Sequence, residues 1–221
     1  MDLIQKSLMK AAAVTIMVLL IGLLAGLQMD DMRTGYVSNR ISEASVNAQT
    51  IMAVQNYLDT SDNYCELVRK EIPQMGENNA EIGTSLEQFS SKGVSKASRY
   101  KLLRRRYYVS QLRLYNTIDQ YRDRCRAKMD SILFFFDGDI ASKRQGAVLT
   151  QYRKEVDNST SIFSFNLAVD NSKVLEVLKS DFNVTGGPTI VINGNRTYRK
   201  YIPLKQLKNL MNEESTPNAT A

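Results

Sequence analysis

The chain contains no histidine, and its two cysteines, Cys65 and Cys125, stand far apart. Each shortage removes a chemistry. Without an imidazole, a carboxylate working as acid or base needs a second acid or a metal ligand beside it. The nearest approach to such a pair is Asp137 with Asp139, and a lone acidic pair at a strand end points to no metal and no cofactor. Without a Cys-x-x-Cys pair, no thiol is set up for disulfide exchange. Proline is scarce too: from Asp30 to Lys128 only Pro73 interrupts, so this region reads as helices with no sheet.

The 221 residues are 43% hydrophobic, enough for one domain of modest size plus an extension. Leu8 to Leu27 carries a single charge, Lys10, and reads as a membrane helix or a signal peptide. Ala25-Gly26-Leu27-Gln28 fits a cleavage site poorly and the apolar core is long for a signal, which favours an uncleaved anchor. Lys6 and Lys10 on one flank, against Asp30, Asp31 and Arg33 on the other, place the N-terminus in the cytoplasm and everything after the anchor outside. Gly22 and Gly26 have the spacing that lets two membrane helices approach, although glycines are common in such spans.

Beyond the anchor, Val37, Ile41, Ala44, Ala48, Ile51 and Leu58 lie near heptad spacing and predict a helical stalk, which Thr60-Ser-Asp62 breaks. Cys65, Val68, Ile72, Met75, Asn79, Ile82, Leu86 and Phe89 then form one coiled-coil seam, kinked locally at Pro73. After the turn at Ser90-Ser-Lys-Gly93, an answering seam runs through Tyr100, Leu103, Tyr107, Ser110, Leu114, Ile118, Tyr121 and Cys125. Two facing seams predict an antiparallel hairpin. Each cysteine lies about thirty residues from a turn centred near Ser95, so the pairing sets Cys65 opposite Cys125 on the buried seam. A disulfide there closes a loop worth about 4 kcal/mol in the chain-entropy picture.

The first hairpin helix is acidic and the second basic, which orients the pairing more than it stabilises it. The excess on Arg104-Arg105-Arg106, Arg122, Arg124 and Arg126 predicts a positive face. Its place beyond an anchor argues against nucleic acid; anionic headgroups, acidic glycans, a protein partner or plain solvation remain open.

From Ser131 the pattern changes. Ser131-Ile-Leu-Phe-Phe-Phe-Asp137 reads as a strand buried on both faces, followed by a helix from Ala141 to about Glu155 and a second strand at Ser161–Phe165. A helix capped by Asp170 or Asn171 carries Val174, Leu175 and Leu178 to about Asp181, and Gly186-Gly187-Pro188 stops the chain before the next strand. Thr189–Ile192 and Thr197–Tyr201 form a hairpin through Asn193-Gly194-Asn195, and a last helix starts near Pro203. The order β-α-β-α-β-β-α, with Thr185-Gly-Gly-Pro-Thr189 opening the third strand, resembles the thioredoxin fold over about the last 80 residues. The whole arrangement is similar to a group of archaeal membrane proteins with one anchor, a disulfide-closed helical hairpin and a C-terminal thioredoxin-like domain.

That resemblance implies an α+β chain: cytoplasmic tip and transmembrane anchor at 1–28, stalk at 29–59, hairpin at 60–128, thioredoxin-like domain at 130–212 and a disordered tail at 213–221. It implies a redox pair at the start of the first α/β helix, where Asp139 and Ser142 stand instead; Asp139 then reads as a helix cap. It also implies that Thr185, Gly186, Gly187 and Pro188 form a peptide-binding loop, the residue before the proline offering main-chain hydrogen bonds. Sequons at Asn158, Asn183, Asn195 and Asn218 agree with an exported glycoprotein, and a glycan on Asn183 would obstruct that loop.

The expected protein is therefore a single-pass, extracytoplasmic module without redox activity. It binds protein or contributes to a cell-envelope assembly, or associates with a second copy through stalk and hairpin. The alternatives are an oxidoreductase-related enzyme using Cys65 and Cys125, or a spacer.

Overall fold

A computed structural model describes residues 15–19, 46, 49–91, 98–155, 160–168 and 172–215, in two compact units that meet between Asp62 and Asn63. In the first unit the described residues are mostly helical, at 15–19, 46 and 49–60. Ser61–Asn63 breaks the helix, where a stop was expected.

The membrane anchor does not stand. Among the described residues no helix is long and apolar enough to cross a membrane; spanning hydrocarbon takes about 20 apolar residues. Of Leu8–Leu27 only 15–19 are described, as helix. The single-pass, extracytoplasmic placement rested on that anchor and is withdrawn with it. Val37, Ile41, Ala44 and Ala48 of the stalk seam, Lys92 and Gly93 of the hairpin turn, the caps at Asp170 and Asn171, the sequons at Asn158 and Asn218 and the tail from 216 lie outside the described residues, whereas Ser90 and Ser91, expected in the turn, and 213–215, expected in a disordered tail, are helical.

The second unit begins with α1 (Tyr64–Ser91) and α2 (Ser98–Cys125), joined by the Cys65–Cys125 disulfide with a Cα separation of 5.7 Å. Pro73 lies inside α1, which continues through it. Val68, Ile72 and Ile82 are buried on α1, and Leu114 and Ile118 on α2. Near the open end the Arg124 guanidinium lies 4.7 Å from the ring centre of Tyr64, whose hydroxyl contacts Gln120 Oε1 at 3.4 Å. Cys65 itself is exposed and Cys125 half-buried, a correction to their place on the seam. The bridge closes the rim of the hairpin, one turn outside its packed interior.

The remaining elements are β1 (Asp130–Phe136), α3 (Ile140–Glu155), β2 (Thr160–Asn166), α4 (Lys173–Asp181), β3 (Thr189–Ile192), β4 (Arg196–Tyr198) and α5 (Leu204–Ser215). The cap of α4 is Ser172, whose side chain makes no capping bond, and β4 ends at Tyr198, earlier than predicted. The sheet has the order β2-β1-β3-β4, with β1 and β2 parallel and the other pairings antiparallel. Alternation along β1 sends Ile132 and Phe134 into a core with Leu149 and Tyr152 of α3 and Leu207 and Met211 of α5. Leu133 and Phe135 point the other way, where Phe135 stacks on Phe165, and Tyr108 and Tyr115 of α2 meet Phe165 and Phe163 at ring distances of 5.3 and 5.9 Å.

α2 therefore carries two buried stripes, one for α1 and one for the sheet. The second stripe closes the β2 edge. Gln111 donates from Nε2 to the Ser164 carbonyl at 3.1 Å and accepts from the Ser164 N–H at 2.8 Å. Two residues along the strand, the Tyr108 hydroxyl accepts from the Asn166 N–H at 3.0 Å and lies 3.4 Å from the Asn166 carbonyl. Burial raises the Tyr108 pKa, so the hydroxyl keeps the proton it needs to donate. Two helix side chains one turn apart thus pair with alternate residues of an edge strand, which would otherwise present open main-chain groups.

At the foot of the same helix Arg122 reaches the β3–β4 turn. Its Nη1 donates to Asn193 Oδ1 at 3.3 Å and its Nη2 to the Asn193 carbonyl at 3.2 Å, while it pairs with Asp119 and, at 3.5 Å, with Asp123. Asn193, in the left-handed region at φ 50, also accepts from the Ser131 N–H at 2.8 Å. Arg122 is therefore an internal tie. Arg122 is half-buried and Arg104 buried, with the Arg104 guanidinium 5.4 Å from the Tyr100 ring centre. The predicted positive face loses both residues; Arg105, Arg106, Arg124 and Arg126 remain exposed.

Candidate functional site

The C-terminal end of β1, the start of α3 and the loop before β3 converge on one carboxylate, Asp137. Gly138, at φ +88, turns the chain from β1 toward α3. Asp139 then caps the helix, its Oδ1 accepting from the Ser142 N–H at 2.6 Å while its carbonyl accepts from Lys143 N–H at 3.0 Å. Asp137 Oδ1 accepts from the Ser142 hydroxyl at 3.0 Å and from the Asp139 N–H at 3.3 Å, and Oδ2 accepts from the Gly187 N–H at 3.2 Å. Those bonds hold the Asp137 carboxyl below the usual carboxylate range, chiefly the Asp139 N–H, then the Ser142 hydroxyl, with the Gly187 N–H adding to them. Asp137 stays ionised where solvent meets the fold.

The loop is packed against this cluster as closely as its chemistry allows. A Cβ on Gly187 would lie 2.8 Å from Asp137 N, 2.8 Å from Ser142 Oγ and 2.9 Å from Phe136 Cα. Only glycine fits. The Gly187–Pro188 peptide is cis and Pro188 is buried, while Thr189 donates its hydroxyl to the Gly186 carbonyl at 2.7 Å.

The two positions expected to match a thiol pair are thus both placed at a helix N-terminus, and neither carries a nucleophile. Asp139 is spent on capping. Ser142 is 2% exposed and its hydroxyl is committed to Asp137. Of the expected peptide-binding loop, Thr185 is exposed and Gly186 and Gly187 half-buried. The Gly187 N–H does not face outward as a free donor, because Asp137 accepts it. What projects at this end is Ile140, 71% exposed on the first turn of α3.

The remaining predicted residues lie elsewhere. Asn195 is exposed as the last residue of the β3–β4 turn, and Asn183, at φ 50, follows the end of α4, its carbonyl accepting from Arg199 Nε at 3.0 Å. Both line a cleft at the turn end of the sheet, so a glycan on Asn183 would cover that cleft and leave the proline loop open. Sequence reasoning treated Asp137 as a weak companion of Asp139, yet it is the hub. Its signal was the Asp-Gly-Asp run itself: a carboxylate two residues before a cap, across a glycine able to fold it back.

No family model and no curated protein matches the chain. Among solved structures it is similar to one titled "Structure of a malarial protein", at 19% identity and a TM-score of 0.33, over 38% of this chain and 96% of that one. A likeness of that size identifies neither a fold nor a function.

Proposed function

We propose that residues 130–215 form a thioredoxin-like domain without thiol chemistry, which serves as a protein-binding module. The strand order and the loop set against the start of α3 support the fold reading. One observation carries the functional part: the positions where redox members keep their thiols are filled by a capping carboxylate and a buried hydroxyl, neither of them a thiol. A carboxylate cannot attack a disulfide. What remains is a rim of Asp139, Ile140 and Thr185, an exposed apolar side chain beside groups able to hydrogen-bond an extended segment.

A purely structural role has its own support, since the Gly187 N–H is already used by Asp137. Insulin reduction by the full chain, beside an Asp139→Cys, Ser142→Cys variant, tests the loss of chemistry; activity only in the variant is expected. Reduction by the unaltered chain would place the activity on Cys65 and Cys125 and overturn the proposal. A peptide array then separates binder from spacer. Binding that falls at least tenfold in Ile140→Asp supports the binder, and no binding leaves the spacer.

A further inference from the structure

At the opposite end of the sheet from the proline loop, α2, the end of α4 and the β3–β4 turn enclose a cleft of about 450 Å³, within the roughly 300–1,000 Å³ of small-ligand pockets. We propose that this cleft binds a neutral saccharide unit, with the Tyr115 hydroxyl and the Asp181 carboxylate as its principal contacts. The site is separate from the proline-loop end and does not depend on the function proposed there.

Tyr115 is the first reason. Its ring is held edge-on to Phe163 and only 6% of the residue is exposed, yet its hydroxyl lies in the cleft wall and has no hydrogen-bond partner among the described residues. Burial, followed by the Asp119 carboxylate, pushes its pKa up to about 12. It is a protonated donor facing a cavity. Gly194 makes room for it, because a Cβ there would lie 2.8 Å from the hydroxyl oxygen.

The ligand class follows from what the other groups are already doing. Asp119 and Asp123 are tied to Arg122, and Arg199 donates to the Phe182 and Asn183 carbonyls at 3.1 and 3.0 Å. Both guanidiniums are therefore engaged, and a strong anion would also meet three carboxylates. Asp181 keeps no ion pair among the described residues, but one carboxylate is not a cation site, and no group of three His, Cys, Asp or Glu side chains there is placed to hold a metal. An apolar molecule would strip water from a wall that is polar nearly throughout. A polyol suits it: each hydroxyl donates to one neighbour and accepts from another, and the wall alternates carboxylate and hydroxyl with the amides of Asn183 and Asn195 and the hydroxyl of Thr197.

The sugar could be free or the end of a glycan on another protein. The full chain, produced without glycosylation, is titrated by ligand-observed NMR against neutral mono- and disaccharides, with spermidine and inorganic phosphate as charged controls, and is applied to a glycan array. A saccharide signal that weakens at least tenfold in both Tyr115→Phe and Asp181→Asn is expected. Array binding without free-sugar binding assigns the glycan source. Asp181 is exposed, so Asp181→Asn decides the matter if Tyr115→Phe unfolds. No saccharide signal in either format, binding of only spermidine or phosphate, or full binding by Asp181→Asn would overturn the proposal.

Discussion

Replacing Gln111 by leucine asks whether a helix side chain stands in for a missing strand. Gln111 is fully buried, and its amide satisfies both the N–H and the carbonyl of Ser164 on the sheet edge. Leucine has a similar volume and keeps the packing while removing both bonds, so two main-chain groups lose their partners where water does not enter. An orphaned buried group costs about 1–3 kcal/mol, so the two together put the expected loss at about 2–6 kcal/mol. That is a large part of the roughly 5–15 kcal/mol that keeps a domain folded. Urea unfolding followed by circular dichroism should show a midpoint lower by about 1–3 M with an unchanged slope. A second variant supplies the sign. In Gln111→Glu the carboxylate still accepts from the Ser164 N–H but confronts the Ser164 carbonyl with a second acceptor, and only its protonated form donates. Burial raises the folded pKa of that side chain above its unfolded value, so its stabilising form is present at low pH and lost as pH rises through the folded pKa. Measured against Gln111→Leu, Gln111→Glu should therefore gain stability as pH falls from about 7 to about 5. A Gln111→Leu chain within about 0.5 kcal/mol of the original, the range of an inconsequential surface change, would refute the reasoning.

Gly187→Ala places a methyl within 2.9 Å of main-chain atoms of Phe136 and Asp137, which cannot yield as a side-chain tip can, and a loss of about 1–3 kcal/mol is expected in thermal unfolding. Asp137→Asn should be less stable than the original at neutral pH. Because the folded pKa of Asp137 is lowered, the difference is fully present above the ordinary carboxylate value and disappears as pH falls through the lowered one; a difference that grows on acidification would contradict this. Cys65→Ser with Cys125→Ser opens a loop of 60 residues and should cost about 4 kcal/mol, read from the shift in urea midpoint.

The sheet was legible because its signals are local. Ile132 to Phe135 could only be a strand covered on both faces, and Asn193-Gly194 carries the turn with both residues at positive φ. The cysteine pairing was legible from the equal distances to the turn. The packing of α2 on the sheet was missed, although Arg104, Tyr108, Gln111 and Tyr115 repeat at spacings of four, three and four beside the seam that was read. A helix with two buried stripes touches two neighbours, and only one had been sought. Arg104 and Arg122 were read as surface charge because a sequence does not show that a guanidinium lies over an aromatic ring or meets a main-chain carbonyl. The Asp137 hub escaped for a related reason: its third partner, the Gly187 N–H, is fifty residues away and has no side chain to advertise it.

A sheet of four strands has two edges and two ends, and here they are treated differently. The β2 edge is closed by Tyr108 and Gln111, and β4, at the other edge, is only three residues long. At the proline-loop end, Asp137 takes up the donors of Asp139, Ser142 and Gly187, so these groups are turned inward. The turn end has a neutral Tyr115 hydroxyl and an Asp181 that keeps no ion pair among the described residues, both beside a cavity. That cavity exists because the hairpin lies on the sheet: Tyr115 anchors α2 through Phe163, Arg122 anchors it through Asn193, and both residues line the wall. Cys125 stands one turn beyond Arg122, so the disulfide that closes the hairpin also fixes the end of the helix from which the cleft is built. The hairpin is in this sense part of the site, and a sheet stripped of it would keep neither its covered edge nor its pocket.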